Sequence, residues 1–371
     1  MTRVKTAIVT MYYNNMNYGA NLQAYALARL CRSFGYDAEL IKFYNGNKIR
    51  YCGSCIKRFI NGITLKNGLK ERKKSVKKFR DAIKHSKLYF ISDIKKANKI
   101  YNCFIVGSDQ VWNPEWLNEA YKLSFVDNEN YKFSYAASIG RKQLNKTEKN
   151  IFRSMLKSFN AVSVREESSV ELLSGLYNGK VEWVLDPTLL LDKNEWDSIS
   201  DGNCKEYGDY IFCYFLGDDG RGRTLADGYA KKHNLKIVTV PDMSGKSRKC
   251  DLNFGDEKVY KVSPAMFISL IKNSKAVFTD SFHATAFSHI FEKEFFVFGN
   301  KNSESVERMN SLCSLFGTKD RIIYREEQFS EEHFENADKI NYSVGKESFN
   351  KMKEKSLNFL SDNLKKAENN V

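Results

Sequence analysis

Two alternating hydrophobic periods constrain the fold most, and they begin at the amino end. Residues 4–10 form a short β-branched apolar run. Residues 21–34 then place Leu22, Tyr25, Ala26, Arg29 and Leu30 at helical spacing and close on Gly35, a C-cap signal. Residues 37–44 read as a second strand. Strand, helix and strand in that order predict a β-α-β unit and hence a parallel sheet.

The alternation resumes beyond residue 100. Strands are expected at 101–106, 131–138, 161–164 and 181–185, with helices at 146–159 and 166–173. Between lies a stretch, about 46–100, with helices expected at 55–61 and 69–85. Residues 193–209 are polar, contain Gly202 and Gly208, and read as a linker. A second alternation follows: strands at 210–216, 236–240, 275–279 and 294–298, and helices at 221–233, 264–273, 283–291 and 303–315. Ser263-Pro264 supplies an N-cap and first-turn proline, and Gly317 a stop signal. The expected organisation is a first domain over 1–192 carrying the 46–100 insertion, the linker, a second domain over 210–340, and an amphipathic helix and tail over 341–371. The fold class is α/β, with two Rossmann-like domains facing across a cleft. In such sheets ligands bind beyond the carboxyl ends of the strands, so the strand-to-helix loops should carry the function.

Composition matters mainly through its distribution. The formal charge is +14. Residues 48–99 hold 17 basic and 3 acidic residues, which accounts for the whole excess. The rest is balanced, so the chain is a neutral protein with one basic insertion. That insertion reads as a solvated helical face, a nucleic-acid contact or a surface drawn to an anionic membrane leaflet. Thin aromatic interleaving and the lack of a recognised motif disfavour nucleic acid. No stretch approaches a spanning helix. The short apolar amino end does not fit a secretory signal, and the cysteines are scattered. These features lead us to expect a cytoplasmic chain, peripheral at the inner face of the plasma membrane if the basic surface docks there. Cys52 and Cys55 have knuckle spacing without a second ligand pair, so no metal is expected.

Four strand-end loops stand out. The first contains Asn17, Gly19 and Asn21 and reads either as a capped turn or as an anion site at a helix N-terminus. The second, Val106 to Pro114, offers Ser108, Asp109, Gln110 and Trp112, groups suited to a sugar unless Trp112 is core. In the third, Arg165 follows a buried strand and is either paired with Glu166 or Glu167 or reserved for an anion. In the fourth, Thr279-Asp280-Ser281-Phe282-His283, an imidazole opens a helix where it could trade protons near neutral pH.

These loops, with Ser134-Tyr135-Ala136-Ala137-Ser138 and Asp186-Pro187-Thr188, resemble in order the polysaccharide pyruvyl transferase family. The resemblance runs from about residue 4 to 323, and the basic insertion is its least typical part. It implies a glycosyltransferase-B-like pair of domains. It also implies transfer of a pyruvyl group from phosphoenolpyruvate onto two hydroxyls of a sugar, in bacterial surface polysaccharide or lipid-linked oligosaccharide biosynthesis. Phosphoenolpyruvate is then the donor substrate, no cofactor is implied, and the acceptor is a sugar, lipid-linked where the protein works at a membrane.

By that resemblance His283 is the general acid/base or phosphate partner and Arg165 binds the donor. Arg308 matches more loosely an arginine facing the cleft, with pairing to Glu304 as the alternative. Asp280 and Ser281 join the substrate-binding set. Two departures stand out. Many relatives carry Gly-Asp in the first loop where this chain has Gly19-Ala20-Asn21, and many carry Arg where it has Ser281. Arg308 is expected to compensate for the second. The alternatives are a nucleotide-sugar glycosyltransferase on the same fold and a non-catalytic sugar-binding relative.

Overall fold

The computed structural model describes residues 4–53, 67–202, 204–218, 220–242, 248–301, 303–326 and 339–370. The chain divides into two compact units: residues 1–65, 80–191 and 351–371 form one, and 66–79 and 192–350 the other.

The first unit opens with β1 (Lys5–Val9), α1 (Tyr18–Ser33) and β2 (Asp37–Tyr44). Helix α2 (Asn67–Asp81) follows, its residues up to 79 counted with the second unit. Then come β3 (His85–Phe90), β4 (Cys103–Val106), β5 (Tyr131–Ser134), α3 (Lys146–Leu156), β6 (Val162–Val164), α4 (Ser168–Ser174) and β7 (Val181–Trp183). The sheet order is β3-β2-β1-β4-β5, every pairing parallel. Parallel bridges Phe133–Ala161 and Ala137–Val164 continue it into β6, which pairs with β7. Buried β4 is wholly apolar and β1 becomes so after Lys5 and Thr6, as central parallel strands covered on both faces tend to be.

The second unit holds α5 (Lys193–Ile199), β8 (Tyr210–Tyr214), α6 (Gly220–Lys232), β9 (Lys236–Thr239), β10 (Glu257–Lys258) and α7 (Pro264–Asn273). After these come β11 (Ala276–Thr279), α8 (Phe282–Ile290), β12 (Glu294–Gly299), α9 (Glu304–Phe316) and β13 (Ile322–Tyr324). Its sheet order is β10-β9-β8-β11-β12-β13, again parallel. Counted within the unit, that is the Rossmann order 3-2-1-4-5-6, and the first unit repeats its 3-2-1-4-5 part. The expected pair of Rossmann-like domains is present. The order reverses beside β1 and β4 in one unit and beside β8 and β11 in the other.

Several elements differ from the sequence reading. Helix α1 starts at Tyr18, because Asn17 caps it by accepting the Ala20 N–H. The helix expected over 69–85 ends at Asp81, and His85 opens an edge strand whose weak alternation hid it. At the start of the stretch read as a linker, Asp192, just before it, and Glu195 form a capping box that starts α5, and these residues fall in the second unit. The helix expected over 55–61 lies outside the described residues.

The basic helix α2 is anchored rather than free. Arg72 donates to the carbonyls of Pro241 (2.8 Å), Tyr260 (2.9 Å) and Val259 (3.3 Å). Arg72 and Val76 are buried, whereas Lys70, Lys73, Lys74, Lys77 and Lys78 are exposed. The carboxyl-terminal helix α10 (Lys346–Asn369) returns residues 351–369 to the first unit. There Ser356 Oγ accepts the Leu185 N–H and Asn363 Oδ1 accepts the Tyr131 hydroxyl.

Candidate active site

In the first unit the strand ends converge on a buried ionic cluster. Arg165, immediately after β6, is 4% exposed. Its Nε donates to Glu166 Oε1 (3.1 Å), its Nη1 to Asp186 Oδ2 (3.0 Å), and Asp109 Oδ1 lies 3.6 Å from Nη1. Burial opposes the guanidinium charge, but Glu166, Asp186 and Asp109 outweigh it and hold Arg165 more firmly protonated than a free arginine. Asp186 Oδ2 also accepts the Ser108 hydroxyl (2.8 Å), and its Oδ1 accepts Thr188 N–H and hydroxyl. Ser108 O in turn accepts Thr10 Oγ1, which accepts Gln23 Nε2. Glu166 Oε2 is buried with no hydrogen-bond partner among the described residues.

This arrangement shows which groups pair with Arg165. Of the two acidic neighbours, Glu166 is the one that pairs with it, and Asp186 is its second partner. Three carboxylates, of Asp109, Glu166 and Asp186, thus surround one guanidinium. Within its own unit Arg165 is therefore an ion-paired side chain.

Other expected contacts are also internal. Asn17 caps α1. Gly19 and Asn21 are buried in its first turn, and Asn21 Nδ2 donates to Asn15 O and Asn17 O. The loop is thus a capped turn. Ser108 and Trp112 are fully buried. Trp112 packs edge-on against Phe152 and Phe159 and donates to Tyr121 O, so it is core and not a sugar platform. Gln110, partly exposed, accepts from Asn113 Nδ2.

In the second unit, β8 and β11 end side by side. Asp280 Oδ1 accepts the Leu216 N–H (2.6 Å) and Oδ2 the Gly217 N–H (2.7 Å). Burial pushes the Asp280 carboxyl up, against the pull of those N–H groups and of Arg223. Arg248 donates to Phe215 O (2.9 Å) and Leu216 O (2.5 Å), and Arg223 to Gly217 O (3.2 Å). Both arginines are tied to Asp251, through Oδ1 at 2.6 Å and Oδ2 at 2.7 Å. The backbone of 215–217 is thus gripped on its N–H and its carbonyl groups.

Ser281 caps α8 by accepting the Ala284 N–H. His283, in the first turn of that helix, is 7% exposed and meets Phe282 edge-on. Arg308 sits half-buried on α9. Sequence reasoning missed Arg223, Arg248 and Asp251 as site residues. Arg223 lay in plain view in the glycine-rich opening of α6, but nothing local predicted that Arg248 and Asp251 would return to it. Among the described residues no group of three or more His, Cys, Asp or Glu is placed to hold a metal ion.

Comparison with known proteins agrees with this architecture. The sequence profile of a family described as polysaccharide pyruvyl transferase matches residues 17–302. No curated protein matches the chain. A Listeria monocytogenes protein described as a UDP-N-acetylglucosamine 2-epimerase superposes with a TM-score of 0.58 at 10% identity, covering 95% of this chain and 91% of its own. A UDP-N-acetylglucosamine 2-epimerase from Rickettsia bellii gives 0.55 at 10% identity, covering 98% and 97%. At such identities the likeness is one of fold.

Proposed function

This chain belongs to the polysaccharide pyruvyl transferase family, a family of transferases, and from that premise we propose that it moves a pyruvyl group from phosphoenolpyruvate onto two hydroxyls of a sugar. The observation that carries the proposal is His283, nearly buried at the start of α8 where the second unit's strand order reverses. Forming the ketal requires a proton on the methylene carbon of the donor, attack of one hydroxyl on C2, loss of phosphate and closure by the second hydroxyl. Imidazole is the side chain best suited to proton exchange near neutral pH, so His283 is assigned to that exchange. The donor carries several negative charges, and a helix N-terminus favours such a group.

The first unit suits the acceptor. Its cluster is rich in carboxylate and would repel a phosphate, whereas Glu166 Oε2 and Asp109 can accept hydrogen bonds from hydroxyls. Arg165 and Asp186 position those acceptors. Arg308 remains assigned to the donor as a cation.

A nucleotide-sugar glycosyltransferase has weaker support. A diphosphate would look for backbone N–H groups at the end of β8, and those of Leu216 and Gly217 already bind Asp280.

The deciding experiment is phosphate release from phosphoenolpyruvate across a panel of sugar acceptors. His283→Gln should lose at least a hundredfold in rate while remaining folded. Equal turnover by that variant removes the assignment, and turnover of a nucleotide sugar without phosphoenolpyruvate favours the alternative.

We propose further that the exposed lysines of α2 hold the protein to an anionic membrane surface, where each contributes about 1 kcal/mol. The sugar acceptor would then be lipid-linked. No helix among the described residues is long and apolar enough to cross a membrane. Co-sedimentation with phosphatidylserine vesicles should weaken with salt and with reversal of Lys73, Lys74, Lys77 and Lys78 to Glu. Equal binding by the reversed variant would remove the idea.

A further inference from the structure

The first unit carries a second polar site, at the starting end of β5 rather than beyond the strand ends. A groove of about 650 Å3 opens between the segment before β5 and one face of α3. Thr147, Asn150 and Ser154 line it from the helix, and all three are exposed on that side. Lys132, the second residue of β5, lines it too while only 3% exposed.

Lys132 is the anomaly. Ammonium groups are almost never buried unless paired, because losing their hydration is expensive. Among the described residues no carboxylate lies within ion-pair distance of Lys132, and its side chain makes one long hydrogen bond, to Leu123 O at 3.5 Å. Asp127, the acidic group whose charge it feels, is paired with Lys95 at 3.4 Å. Burial accordingly pulls the Lys132 ammonium below its ordinary range. A simple core position would hold Met or Leu here, and a structural ion pair would hold a carboxylate opposite.

We propose that this groove binds a small hydroxylated anion, a sugar bearing a carboxylate or a phosphate, with Lys132 supplying the buried counter-charge. The hydroxyls and amide of Thr147, Asn150 and Ser154 then meet the ligand's hydroxyls, and exposed Ile151 offers an apolar patch for a sugar face. An anion seated on Lys132 would offset the desolvation that the free protein bears.

The test is calorimetric titration of the full chain with glucuronate, glucose 6-phosphate and glucose. One or both anionic sugars should bind at least tenfold tighter than glucose, and which of them binds identifies the charged group as carboxylate or phosphate. Lys132→Met, which removes a buried charge, should keep the fold and lose at least tenfold in affinity. Ser154→Phe fills the groove from an exposed helix position and should do the same, so it decides the matter if the first variant does not fold. Failure of the wild-type protein to bind either anionic sugar, or unchanged binding by Ser154→Phe, overturns the proposal.

Discussion

Arg165 Nη1 donates to Asp186 Oδ2 at 3.0 Å, and both side chains are withdrawn from solvent. The pair joins the loop after β6 to the segment after β7, and Ser108 brings the end of β4 to the same carboxylate. Removing the cation from such a cluster leaves carboxylates buried without compensation, which typically costs about 3–5 kcal/mol. Arg165→Met should therefore lower the urea midpoint markedly. The double variant Arg165→Met/Asp186→Asn should recover part of the loss, because it deletes a charge from each side. A single variant as stable as wild type would show the cluster to be energetically inert.

That cluster also shows what the sequence could and could not reveal. Arg165 after an apolar strand was visible as a buried charge needing an explanation, and Glu166 beside it was an obvious partner. Asp186 was visible only as part of an Asp-Pro-Thr turn, and no local pattern announces that it meets Arg165 across β7. Trp112 fails for the opposite reason. Its neighbours Asp109, Gln110 and Asn113 make the segment look like a polar surface loop, yet the indole turns inward onto Phe152 and Phe159. Gly107 is required both by its own backbone, with φ at +124°, and by the neighbouring strand's end, where a Cβ would lie 2.1 Å from Tyr135 O. Strand and helix order was legible where the hydrophobic period was strong, because that period is a local property, but the weakly patterned β3, α5, β10 and β13 went unread. Partners distant in sequence were not, because pairing depends on topology.

His289 predicts a pH dependence. Its ring stacks on Phe316 with centroids 3.9 Å apart and meets Phe295 edge-on, and burial pulls its pKa down to about 3. Unfolded, the same imidazole titrates near 6.5. Between those values the unfolded chain binds the proton and the native protein does not, so stability falls as pH falls, by up to about 1.4 kcal/mol per pH unit. Above pH 6.5 the contribution is flat. His289→Phe should flatten the stability profile between pH 6.5 and 4 relative to wild type, measured by urea unfolding at each pH. Identical slopes would place the titration elsewhere.

Arg72 predicts a local effect. A hydrogen bond from a charged donor contributes about 1.5–3 kcal/mol, and Arg72 makes three such contacts to carbonyls of the second unit. Arg72→Met should raise amide exchange across residues 67–79 at least tenfold while shifting the main thermal transition only slightly. Unchanged exchange there would mean that Val76 and the rest of the inner face suffice to hold the helix.

Asp280 allows the sharpest test of how the second unit's strand ends are held. Its two oxygens each accept a backbone N–H, from Leu216 and Gly217, and a Cβ on Gly217 would approach Oδ2 to 2.9 Å. Asparagine has the same shape but only one acceptor, so Asp280→Asn must turn an NH2 group toward a backbone N–H. Two donors then confront each other in a site where burial already disfavours any unmet polar group. Removing the buried charge works in the other direction, since burial raises the Asp280 carboxyl. The two short hydrogen bonds should outweigh that relief, giving a net loss of about 1–3 kcal/mol. Amide exchange at Leu216 and Gly217 should rise selectively, because Arg248 and Arg223 still hold the carbonyls of the same loop. If both amides stay protected in the variant, the grip on 215–217 comes from those arginines alone.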